Sequence, residues 1–98
     1  MSVISLLDVR IRADRLADAP GIVHDVLAAT RAFDGNTGVQ VARDATDETH
    51  WLIVEHWASI EHDDAYRAWR ATPEGASALR ELLAEAPTLT RTVVDDSI

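Results

Sequence analysis

The chain has 98 residues and a formal net charge of -8, with 47% apolar residues spread along its length. That is enough for one domain with a packed core, expected to span residues 1–98. The negative charge excludes bulk phosphate neutralisation, so neither nucleic acid nor an anionic membrane surface is an expected partner. Cysteine is absent, which excludes disulfides, thiolate metal sites and cysteine nucleophiles.

Residues 3–12, VISLLDVRIR, read as a first strand, with Val3, Ser5, Leu7, Val9 and Ile11 on one face. The start of the chain lacks the basic and long apolar regions of a signal peptide, and no run reaches the roughly 20 apolar residues of a membrane span. The expected location is the cytoplasm.

Asp18 and Pro20 signal a helix start. From Gly21 to Ala32 the period becomes helical. Ile22, Val26 and Ala29 form a stripe that Val23, Leu27 and Thr30 widen, and His24 falls on the exposed or boundary side. Asp34-Gly35-Asn36 is a turn. Gly38–Arg43 alternates as a second strand, Asp44–Thr49 reads as a polar hairpin loop with His50 solvated beside it, and His50–Ala58 is a third, central strand. Its alternation separates Trp51, Ile53, Glu55 and Trp57 from His50, Leu52, Val54 and His56.

Ser59 caps a second helix running to about Ala71, and Asp63-Asp64 reads as its solvated, acidic start. Thr72-Pro73 opens a third helix with Ala76, Leu79, Leu82 and Leu83 as its buried stripe. Residues 88–94 form a fourth strand. The order β-α-β-β-α-α-β is a ferredoxin-like α+β plan with a four-stranded antiparallel sheet. Helices cover one sheet face, and a second subunit is expected on the other.

In the second helix His62, Tyr66 and Trp69 stand at i, i+4 and i+7 and share a stripe expected to face the sheet. Each has a polar handle, and Ala58, Ala65 and Ala68 leave room, so a pocket for a flat aromatic ligand is one reading. Ordinary aromatic core is the other, with His62 extending the cap region to solvent and His56 on a dimer face. Glu55 is a base if its face lines a cavity, or else an arginine partner. No histidine pair has metal-ligand spacing, and no phosphate loop, dinucleotide fingerprint or nucleophile elbow occurs, so no metal or cofactor is expected.

The stretches FDGNTGVQVARD and WLIVEHWASIEHDDAYRAWR resemble the antibiotic biosynthesis monooxygenase (ABM) domain. They share a Phe-x-Gly turn before the second strand, Glu-x-Trp-x-Ser-x-Glu at the end of the third, and a helix carrying an aromatic and Trp-Arg. A leucine-rich segment ending in Ala-Pro follows. The resemblance implies a homodimeric α+β barrel with a pocket in each subunit, and cofactor-free oxygenation of a small phenol, quinol or anthrone-like polyketide. It makes Tyr66 and Trp69 candidate hydrogen-bond donors and His62 or His56 the candidate base. Arg70 is then a candidate anion partner, and Trp57 and Glu55 are candidate substrate-binding residues. Haem-degrading relatives need an asparagine on the first strand and a histidine about ten residues past the helical tryptophan. Here Leu79 holds that place and no histidine follows His62. A non-catalytic dimeric ligand-binding protein, or a detoxifying or isomerase-like role, is the alternative on the same fold.

Overall fold

The alternating residues of the strands decide which side of the sheet is covered. The computed structural model describes residues 1–98, with strands β1 (Val3–Arg10), β2 (Asn36–Asp44), β3 (Asp47–Trp57) and β4 (Thr88–Val93) and helices α1 (Ala19–Ala32) and α2 (Ile60–Arg70). The strands form one antiparallel sheet in the order β2-β3-β1-β4. This is the α+β, ferredoxin-like plan expected from the sequence, with β3 central. Val3 pairs with Trp57, Leu7 with Ile53 and Arg10 with His50. That register puts Ser5, Trp51, Ile53, Glu55 and Trp57 under the helices, each at most 2% exposed. Ile4, Leu6, Leu52, Val54 and His56 occupy the opposite face and keep part of their surface. No helix of the molecule is long and apolar enough to cross a membrane.

α1 starts at Ala19, two residues before the expected Gly21, and Asp18 makes no side-chain cap bond. Its buried line is Ala19, Val23, Leu27 and Thr30, so the residues expected to widen the stripe are its centre. Ile22 and Val26 flank it, and His24 is exposed. Gly35 (φ 85°) makes the turn into β2, and a Cβ there would meet the His62 ring at 2.1 Å. Only glycine therefore fits this corner.

One expectation is tightened and one fails. The hairpin loop expected at Asp44–Thr49 is present but shorter, because Asp44 Oδ1 accepts from Thr46 N at 2.9 Å and pairing resumes at Asp47. The larger correction is the third helix, which does not form. Thr72 Oγ1 donates to Trp69 O (2.6 Å) and Gly75 N donates to Thr72 Oγ1 (3.2 Å), folding the chain into a turn pressed on Trp69. A Cβ at Gly75 would lie 2.0 Å from Trp69 O. Ser77 then caps a 3-10 helix at Ala78–Leu82. Backbone bonds from Arg12 N to Leu82 O and from Ala84 N to Arg10 O, at 2.7 and 2.8 Å, draw the following residues into an extended path beside β1. Hydrogen bonding to that strand edge and local side-chain caps win over a weak helical pattern containing Gly75 and Ser77. Leu82 is buried, Leu79 and Leu83 are half-buried, and Ala76 is exposed.

The apolar interior divides in two. One cluster joins Val9, Ile11, Leu27, Trp51, Ile53 and Leu82 with their neighbours. The other joins Val3, Trp57 and Tyr66, with Phe33, Ile60 and Trp69 packed on it.

Candidate functional site

A cavity of about 540 Å³ opens between these clusters. The sheet contributes Leu7, Ile53 and Glu55, and α1 contributes Val26 and Leu27. The last turn of α2 contributes Tyr66, Arg67 and Arg70, and the segment after it adds Leu79, Arg80, Leu83 and Pro87. Apolar walls with a few polar groups at one end are what a small flat ligand requires.

Those polar groups are positioned by α2. Ser59 Oγ accepts from His62 N and sets the helix start. The helix then packs on its Asp63–Tyr66 line, not on the expected His62–Tyr66–Trp69 stripe. The cause is Asp63, which is fully buried although the sequence reading made it solvated. Its Oδ2 accepts from Ser5 Oγ (2.8 Å) and Arg91 Nε (2.7 Å). Its Oδ1 lies 2.9 Å from Arg67 Nε, outside hydrogen-bond geometry, so that contact is ionic attraction alone. Arg91 also donates to Asp64, and the two carboxylates, Asp63 first, raise its pKa further. Rotating α2 to bury Asp63 turns Ala65 and Ala68 to solvent, so these alanines create no space inside.

Arg67 continues the network by donating to Glu55 Oε1, which also accepts from Trp57 Nε1 at 3.2 Å. Glu55 thus lines the cavity and holds an arginine as well, and its Oε2 accepts no hydrogen bond from the protein. Tyr66 shares a 2.7 Å hydrogen bond with Thr30 Oγ1, and its hydroxyl accepts from Arg70 Nε at 2.8 Å. Arg70 also donates to Val26 O, Thr30 Oγ1 and Gly75 O at 2.9, 3.0 and 3.2 Å. All its partners are neutral oxygens. A guanidinium has five N–H donors; with four used, one on Nη1 remains, and the charge has no carboxylate partner.

Among the residues singled out from the sequence, Glu55, Tyr66 and Arg70 come together at this cavity. Trp57 is buried behind Tyr66, with ring centroids 4.8 Å apart, and binds Glu55. Trp69 packs on Phe33 (5.5 Å) outside the cavity wall. His62 folds back on its own cap, with Nδ1 2.7 Å from Ser59 Oγ and Nε2 3.7 Å from the exposed Asp34. His56 lies on the uncovered sheet face. Neither histidine reaches the cavity. His50 is not simply solvated: Nδ1 stands 2.8 Å from Asp44 and Nε2 3.0 Å from Asp8. These carboxylates raise its pKa, and the same bond, with help from Thr46, lowers that of Asp44 to about 2. Sequence reasoning missed Asp63, Arg67, Arg91 and Thr30. Two signals were present: opposite charges at Asp63 and Arg67 in i, i+4 spacing, and a lone serine on the buried side of β1.

Residues 2–81 match the family model described as antibiotic biosynthesis monooxygenase. The fold superposes on a candidate antibiotic biosynthesis monooxygenase of Deinococcus radiodurans with a TM-score of 0.80 and 25% identity, over 98% of this chain and 95% of that one. It is similar to Rv0793 from Mycobacterium tuberculosis (TM-score 0.78, 20% identity, 98% and 97% covered). A candidate antibiotic biosynthesis monooxygenase of Caulobacter crescentus gives 0.77 at 17% identity, with 96% and 91% covered. The last two bear on the fold alone. No curated protein matches the chain.

Proposed function

Because the chain belongs to the antibiotic biosynthesis monooxygenase family, we propose that it oxidises a small electron-rich aromatic, a quinol or an anthrone-like polyketide, with dioxygen in the cavity beside α2. The observation that carries this reading is Arg70, a charge without a counterion, held by neutral oxygens next to Tyr66 at one end of an apolar cavity. Such a charge is fixed before any ligand arrives and favours an anion there.

In the proposed reaction the substrate loses a proton to Glu55 Oε2, and Arg70 and Tyr66 stabilise the resulting carbanion or phenolate. Dioxygen takes four electrons in all. In an anthrone one oxygen atom stays on carbon as a new carbonyl, so that a methylene becomes C=O. In a quinol it stays as a hydroxyl that replaces a ring hydrogen while the ring becomes a quinone. In both, the other oxygen leaves with two protons as water. The balance needs no external reductant and no cofactor. Leu7, Leu27, Ile53, Leu79 and Leu83 keep water away from the anion. We also propose a cytoplasmic homodimer joined through the uncovered face of Ile4, Leu6, Leu52 and Val54, which leaves each cavity on the outer, helical side.

The test is oxygen uptake on a panel of quinols and anthrones in air. Glu55→Gln is expected to lower turnover by about 100-fold or more, in the range of general-base removal. Arg70→Lys, which keeps the charge and loses the fork, lowers it too. His62→Ala and Trp69→Phe leave it nearly intact. If no compound turns over, or if His62→Ala abolishes activity in a folded protein while Glu55→Gln does not, the proposal fails.

A further inference from the structure

Nine basic residues, all arginine, face seventeen acidic ones in this chain, so an arginine without a carboxylate partner is the exception that calls for a cause. Arg10, Arg12, Arg15, Arg67 and Arg91 all form ion pairs. Arg31, Arg43, Arg70 and Arg80 do not, and they divide by place. Arg70 and Arg80 line the cavity described above. Arg31 and Arg43 line a second cavity of about 270 Å³ on the other side of α1, and Leu27 is a wall of both.

This second cleft lies between α1 and the helix-side face of β2 and β3. Its exposed apolar surface comes from Pro20 and Val41, with the buried Val23, Leu27 and Trp51 behind them, and the exposed His24 also lines it. No carboxylate lines it. The acid next to Arg43 in the chain, Asp44, is engaged by Thr46 and His50 instead. The Arg43 guanidinium lies 4.7 Å over the Trp51 ring. Stacking uses the face of the guanidinium and leaves the N–H donors in its plane free. Arg31 donates only to Val39 O, at a long 3.3 Å. Two forks with spare donors therefore flank the exposed aliphatic surface of Pro20 and Val41, in a molecule whose overall charge is -8.

We propose that this cleft is a second ligand site, for a small aromatic carboxylate. The ring lies against Pro20, Val41 and the His24 imidazole, which are exposed lining residues, and the carboxylate sits between Arg31 and Arg43. The volume admits a single ring with its charged group, and contact with Pro20 and Val41 favours such a ligand over an inorganic anion. The cleft is on the helical side of the sheet, so a dimer formed through the opposite face leaves it open. The proposal is independent of the reaction assigned to the first cavity.

Titration followed by ¹H–¹⁵N NMR tests it, with benzoate, benzyl alcohol and inorganic phosphate as probes. Benzoate is expected to shift the Trp51 indole N–H and the Arg43 Nε–H saturably. Benzyl alcohol and phosphate each bind about tenfold more weakly or worse, the order of one charge-assisted hydrogen bond or one buried ring face. Arg31→Gln with Arg43→Gln weakens benzoate by about tenfold or more. Both side chains are at the surface, so the double variant keeps its fold, checked by its melting curve. Tyr66→Phe, in the other cavity, leaves benzoate affinity unchanged. The proposal is overturned if benzoate perturbs only the surroundings of Tyr66 and Arg70, if benzyl alcohol or phosphate binds as well, or if no saturation is reached.

Discussion

The two faces of β3 are made by alternate residues of one strand, and they are finished in opposite ways. Trp51, Ile53, Glu55 and Trp57 are buried under the helices, and their polar groups are partnered except for Glu55 Oε2 at the cavity: Trp51 Nε1 donates to Glu48 O at 2.8 Å, and Trp57 and Arg67 share Glu55 Oε1. His50, Leu52, Val54 and His56 remain half-exposed, with the ionic contacts of this face gathered at one end, on His50 and on Arg10 beside it. The comparison teaches where each kind of order comes from. The covered face is held by burial together with charges that burial forces to pair. The uncovered face has an apolar middle without a lid, the place where the proposed dimer joins.

The sharpest way to break this contrast is at Asp63. Removing it takes the shared buried carboxylate from Arg67 and Arg91, which keep only Glu55 and the exposed Asp64, and takes the acceptor from Ser5 Oγ. Asp63→Ala is therefore expected to cost roughly 3–5 kcal/mol, the range for breaking a buried ion pair by deleting one partner. Asp64, next in the chain and 59% exposed at its side chain, gives the control. Asp64→Ala is expected to cost roughly 0–1 kcal/mol. Urea unfolding of both variants measures the difference, and equal losses would show that the buried network contributes nothing special.

On the uncovered face, Val54→Asp places a charge where the proposed dimer is driest. A dimer held there weakens by about 100-fold, or about 2.7 kcal/mol, while the monomer keeps its circular dichroism. Sedimentation reads both states: wild type near twice 10.7 kDa, the variant near the single mass. A wild-type monomer at micromolar concentration would remove the association argument altogether.

A smaller effect is expected at the cavity. Tyr66→Phe deletes a hydroxyl bonded to both Thr30 and Arg70 and leaves a buried donor short of a partner, at a cost of roughly 1–3 kcal/mol. Thermal melting measures it. Retained stability with lost oxygen uptake would assign the hydroxyl to the ligand instead of to the α1–α2 contact.

How much of this was legible in the chain follows from the physics of each element. The period of two in VISLLDVR and HWLIVEHW is a property of the strand backbone, so both faces of the sheet could be read directly. The cap signals at Asp18 and Ser59 placed both helix starts to within a residue or two, although only Ser59 makes the cap bond. The third helix misled because leucines recur at helical spacing in Leu79–Leu83, whereas the outcome turned on Thr72 and Ser77 capping locally and on a strand edge far away in sequence. At the site, Glu55, Tyr66 and Arg70 were found because they are the polar residues of a strand and a helix that meet. The rotation of α2 was not found. It depends on Ser5 and Arg91 converging on Asp63 from β1 and β4, and no local pattern reports such convergence.

The smallest expected effect belongs to the His50 clamp, and its sign can be worked out. The carboxylates of Asp44 and then Asp8 raise the His50 pKa above 6.5. That contribution is complete below pH 6.5 and is lost as pH rises through the raised value. Asp44 runs the other way: lowered from 3.8 to about 2, it contributes above 3.8 and loses its contribution as pH falls toward about 2. Both shifts express one contact, so they bound a single plateau between roughly pH 4 and pH 6.5 and do not add. The groups are exposed, so salt screens the interaction and the amplitude is small. Melting temperatures of wild type and His50→Gln at pH 5, 7 and 9 separate the cases. The difference is largest at pH 5, shrinks by pH 9, and shrinks further in high salt. A difference that stays constant with pH would mean that His50 acts on the uncovered face by packing alone, and the contrast between an apolar middle and an ionic end would lose its second half.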